Sequence, residues 1–134
     1  MNISKIWTSI ELKAEDDYFS LSDDERRVYS LRKVIDAING RGLLSLYRSR
    51  DYLYPEDIVE DLYALEQDEA AAIIENANSM FPGGFVPEEP EERAEIIDSW
   101  DEGFDELFDQ WTDDILEFNS FLEGAYNNLI SSLE

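Results

Sequence analysis

Neither cysteine nor histidine occurs among the 134 residues. The first absence removes disulfides and thiolate chemistry, and the second removes the commonest general base. Together they remove nearly all zinc and haem ligation. Long apolar runs are also missing, so no segment is expected to span a membrane. The opening MNISKIWTSIEL has no apolar core or small-residue cleavage site of a secretory leader. With no disulfide framework either, a cytoplasmic location is expected. Base is scarce too, and unevenly so. Residues 1–50 hold nine bases and eight acids, whereas residues 51–134 hold twenty-five acids and one base, Arg93. The net charge of −23 therefore sits in the second part. That charge repels phosphate and so excludes nucleic acid and anionic membranes as its direct partners.

What is present suits one folded domain. The length fits a single core, and 43% hydrophobic with 13% aromatic residues is too apolar for a disordered acidic tail. Helical periodicity dominates and no stretch alternates long enough for a strand. The expectation is an all-α, single compact domain of about six to eight helices over residues 1–134. Residues 2–18 read as a first helix. Ser22 and Glu25 have capping-box spacing ahead of Val28, Leu31, Val34, Ile35 and Ile38. Asn39-Gly40 should end that helix, because both tolerate a left-handed cap. A short helix follows around Leu43 to Tyr47. Pro55 opens the next at its first turn, and another spans residues 68–80. Phe81 to Pro87 reads as a loop.

Residues 88–114 contain thirteen Asp or Glu among twenty-seven residues. Advancing 100° per residue, Glu95, Asp98, Glu102, Asp105, Glu106, Asp109 and Asp113 share an arc of roughly 100°. Ile96, Ile97, Trp100, Phe104, Leu107, Phe108, Trp111, Ile115 and Phe118 occupy the other side, within roughly 120°. This is an amphipathic helical region whose phase continues through Leu122, Ala125, Tyr126 and Leu129. A single helix of that length is improbable on base rates, so a break is expected at Gly103 or near residues 112–114.

No enzyme is expected. Gly83-Gly84 lacks the Lys and Ser/Thr of a phosphate loop. Asp98 to Asp109 has calcium-loop spacing with Gly103 sixth, but Trp100 stands where the third ligand belongs. No metal or other cofactor is implied. Tyr47, Tyr52 and Tyr54 lie among Arg41, Arg48 and Arg50, an arrangement able to stack on bases. The alternative is that the arginines pair with acids and the tyrosines pack in the core.

The acidic density has a physical parallel. Thirteen carboxylates over a helical length of about 40 Å is one per about 3 Å, close to the phosphate spacing of about 3.4 Å along one DNA strand. The order Val34-Ile35-Asp36-Ala37-Ile38-Asn39-Gly40, then Gly42-Leu43 and Leu46-Tyr47, resembles the Asn-Gly-Gly-Phe turn and aromatic pair of the small helical DNA-mimic protein family. Arg41 interrupts the glycine pair, and Leu43 replaces the aromatic. Asp61-Leu62-Tyr63-Ala64-Leu65, Ala70 to Ile74, Ala77 and Met80-Phe81-Pro82 resemble its next two helices. Pro87 to Arg93 resembles its acidic connection. The likeness covers residues 22–130, leaving 1–21 as an N-terminal helix and linker.

The resemblance implies a helical, acidic, non-enzymatic protein that occupies the DNA-binding surface of a basic DNA-binding protein. Glu92, Glu95, Asp98, Glu102, Asp105, Glu106, Asp109 and Asp113 would stand for phosphates. Glu56, Asp57, Glu60 and Asp61 would form a second strip. One alternative is an immunity or counter-defence inhibitor of a basic nuclease. Another is an acidic housekeeping protein with no nucleic-acid link. A homodimer is compatible with every reading.

Overall fold

A computed structural model describes residues 3–49 and 54–133. Among them are eight α-helices: α1 (Ile3–Asp17), α2 (Asp23–Asn39), α3 (Leu43–Arg48), α4 (Pro55–Ala64), α5 (Asp68–Asn78), α6 (Pro90–Ser99), α7 (Glu102–Leu116) and α8 (Asn119–Ser131). Short 3-10 turns lie at Tyr18–Ser20 and Pro82–Gly84, and no strand occurs among these residues. The chain is all-α and forms one domain, as its periodicity predicts.

The central element is α2, which packs against α1, α3, α4, α7 and α8. Its start is the capping box read from the sequence. Ser22 Oγ accepts the Glu25 N–H at 3.2 Å, and Glu25 Oε1 accepts the Ser22 N–H at 2.8 Å. That backbone donor, together with Lys13, holds the Glu25 carboxyl below its usual range. Val28, Leu31 and Val34 are fully buried, so α2 supplies the middle of the core.

The end of α2 differs from expectation in its geometry. The helix stops at Asn39, yet Gly40 has φ −110° and ψ −110°. The left-handed residue is Gly42, at φ 98°. Gly40 is needed for space, since a Cβ there would lie 2.8 Å from the Asp36 carbonyl oxygen. The Gly42 N–H then closes the turn onto the Ala37 carbonyl at 2.8 Å.

The C-terminal helical region breaks at neither expected place. It breaks first between Ser99 and Glu102 and again at residues 117–118. Asp101 causes the first break by capping α7, its Oδ1 accepting the Gly103 N–H at 2.9 Å. Gly103 is thereby absorbed into the first turn. Trp100 is extended, with ψ 149°. Its ring packs among Phe81, Phe104 and Phe108, at centroid distances of 5.0, 4.9 and 5.6 Å. Thr112 lies within α7, its hydroxyl donating to the Phe108 carbonyl at 2.8 Å and accepting the Leu43 N–H at 2.8 Å. It thus pins α7 to the start of α3.

Among the described residues no helix is long and apolar enough to cross a membrane.

Candidate functional site

The acidic stretch resolves into two helices. On α7, Glu102, Asp105, Glu106, Asp109 and Asp113 are all exposed. Their i, i+3 and i, i+4 spacing lines them along one face for about 16 Å. The opposite face carries Phe108 and Ile115, both buried, with Phe104 and Trp111 half-buried beside them. Burying a large apolar side chain contributes about 1.5–3 kcal/mol. Repulsion between exposed carboxylates is about 1 kcal/mol or less per pair. The aromatic side therefore holds the acidic side together. Glu102 and Asp105 also lie in the first turn of α7, where the helix dipole favours negative charge.

The remaining candidates of this stretch lie on α6. Glu92, Glu95 and Asp98 are exposed, but the turn at Trp100 and Asp101 separates them from the α7 strip. The single arc drawn through Glu95 and Asp113 is therefore two faces. Asp98 is engaged by its own chain, since Arg48 Nη2 donates to Oδ1 at 2.9 Å. Among the described residues the five α7 carboxylates make no such pairing.

The expected second strip on α4 divides. Glu56 and Glu60, four residues apart, are exposed. With Glu75 of α5 they rim a cleft of about 360 Å³ floored by Val59 and Asn78. Asp57 and Asp61 lie one residue on and turn toward the core. Asp57 Oδ2 accepts the Tyr18 hydroxyl at 2.9 Å. Asp61 is 1% exposed, bonded to Arg26 and to the Ser30 hydroxyl. It offers no carboxylate to a partner, which corrects its place among the phosphate substitutes. The physical reason is that α4 packs on α2 along the 57/61 side.

Most bases among the described residues are engaged within the chain. Arg93 is fully buried. Its guanidinium donates to the carbonyls of Tyr47, Ser49, Pro87 and Glu88, each at 2.8 or 2.9 Å. It thus caps the C-terminal carbonyls of α3 and ties them to the segment entering α6. Tyr47 is buried, and its hydroxyl donates to Asn78 Oδ1 at 2.6 Å. Tyr54 stacks on Tyr18 at 3.8 Å. Tyr47 and Arg48 thus follow the packing and pairing alternative, and Tyr54 is half-buried against Tyr18. Arg41 is exposed. Arg50 and Tyr52 lie outside the described residues.

One feature escaped the sequence reading. Glu66, Gln67, Glu69 and Ala70, between and at the start of α4 and α5, face Phe118 and Phe121 across a cleft of about 320 Å³. Phe121 is 65% exposed. Its signal was available, because the apolar stripe of the C-terminal region passes through Phe118 and Leu122 and skips Phe121.

The chain has no match among curated proteins or solved structures. A family model described as DMP19-like protein matches residues 19–132, slightly beyond the 22–130 of the expected likeness. That match runs from the first 3-10 turn to the end of α8 and takes in both acidic helices, so the chain belongs to the DMP19-like protein family.

Proposed function

We propose that the protein is a non-enzymatic DNA mimic whose α7 face occupies the DNA-binding surface of a basic DNA-binding protein. The observation that carries this reading is the row Glu102, Asp105, Glu106, Asp109 and Asp113, exposed and without a cationic partner among the described residues. A groove lined with Lys and Arg meets there a rigid line of negative charge, as it would along a duplex strand. Rigidity comes from the aromatic underside and the Asp101 cap. Glu92 and Glu95 on α6 and Glu56 and Glu60 on α4 extend the acidic surface. Membership of the DMP19-like family supports the same reading.

The test is capture of partners from native cell lysate on the immobilised protein, followed by stepwise salt elution. Captured proteins should be basic and DNA-binding, and duplex DNA should displace them. Replacing Asp105, Asp109 and Asp113 together by lysine should abolish capture with helix content unchanged, because all three side chains face solvent. Undiminished capture by that variant would remove α7 as the recognition face. Captured partners that duplex fails to displace would end the mimicry reading.

A further inference from the structure

Where the α7 strip ends, the surface changes chemistry. Beyond Asp113 and Glu117 the chain turns at Phe118 into α8, and Phe121 stands out one turn later. Its ring is 65% exposed. Across the cleft of about 320 Å³ stand Glu66 and Glu69, placed there because α5 packs against α7. Both are exposed, and neither carboxylate has a partner within the described residues.

A phenyl face flanked by two carboxylates selects its occupant. A neutral apolar side chain would cover the ring but would strip water from Glu66 and Glu69 without replacing it. A second copy of this chain, at net charge −23, would add repulsion. A bare metal ion gains nothing from the ring. A guanidinium satisfies both parts: its plane stacks on the ring while its N–H edges donate to carboxylates, and it sheds water more readily than an ammonium does.

We propose that this cleft is a slot for one arginine side chain of the partner, stacked on Phe121 and paired with Glu66 and Glu69. The slot deepens the proposed function and rests on it for the partner's basic character. The α7 strip supplies attraction that does not distinguish lysine from arginine, whereas the slot does.

The experiment measures the affinities of fluorescent oligo-arginine and oligo-lysine peptides of equal length for the full chain. The parent protein should prefer arginine. Phe121→Leu keeps an apolar side chain and removes the π face. It should lower that preference about two- to fivefold, the range of an exposed cation–π contact, with lysine affinity unchanged. Phe121→Tyr should retain the preference. The exposed position makes both variants foldable, and an unchanged melting temperature checks this. No arginine preference in the parent, or the same preference after Phe121→Leu, overturns the slot. Lysine substitutions at Asp105, Asp109 and Asp113 should weaken both peptides alike. A slot that persists when those substitutions have no effect would remove the strip and keep the slot. The converse result would remove only the slot.

Discussion

Arg26 holds Asp61 through two nitrogens, Nε at 3.1 Å and Nη2 at 2.8 Å from the same Oδ1. The carboxylate is sealed in and the guanidinium is partly open to water, so the two ends of the pair are unequal. Arg26→Ala strands a buried charge and should lower the unfolding free energy toward the upper end of about 3–5 kcal/mol. Asp61→Ala leaves a cation that water can reach, and should sit at the lower end. Urea unfolding of both variants checks the order. Capture of partners by Asp61→Ala at a temperature where it stays folded should match the parent.

Arg93 satisfies four carbonyls, so its removal uncaps α3 and loosens the entry to α6. Arg93→Met should destabilise by about 3–5 kcal/mol. Arg93→Lys should recover only part of the loss, since one ammonium cannot reach carbonyls on both segments. Equal stability of the lysine variant and the parent would show that charge alone matters there.

Glu66 occupies a position that usually belongs to glycine. At φ 61° it closes α4, with the Gln67 N–H on the Leu62 carbonyl at 2.9 Å and the Glu66 N–H on the Tyr63 carbonyl at 3.1 Å. A side chain in that conformation costs about 1–2 kcal/mol. Glu66→Gly should therefore raise stability by about 1 kcal/mol, read from urea midpoints. The same change should weaken the arginine peptide.

Alkali should loosen the fold through tyrosine. Burial, and then the hydrogen bond to Asp57, push the Tyr18 hydroxyl well above its usual range. Burial, and then the charge of Glu56, do the same to Tyr47. The folded state holds these protons more tightly than the unfolded state. Their contribution is fully present below about pH 10 and is lost as pH rises beyond it. Tyr18→Phe should be less stable at neutral pH, because Asp57 loses its donor, but should decline less steeply with alkali. Unfolding midpoints across that range check both parts.

Much of this was legible in the chain because helices announce themselves locally. The Ser22–Glu25 box, Pro55 at the first turn of α4 and the apolar stripe of α2 need only near neighbours. The direction of Asp57 and Asp61 did not follow, because adjacent pairs at four-residue spacing, 56/60 and 57/61, lie only about 100° apart. Choosing between them requires knowing that Arg26, thirty-five residues away, meets that side. The turn at Trp100 was hidden for another reason. Ile96, Ile97, Trp100 and Phe104 keep one helical phase whether or not the backbone pauses, so hydrophobic pattern could not mark the pause. The capping oxygen of Asp101 marks it. Composition marked Arg93 only as the one base among acids, and the carbonyls at the end of α3 that explain its burial could not be read from it.

With Arg93 enclosed, residues 54–133 turn no cationic side chain to the solvent. A protease that cuts after lysine or arginine must draw that side chain into its own specificity pocket. In the native second part it can do so only after α6 lifts away from the end of α3. Cleavage at Arg93 is then a clock for that opening, and its rate follows the open population as long as reclosing outpaces the protease.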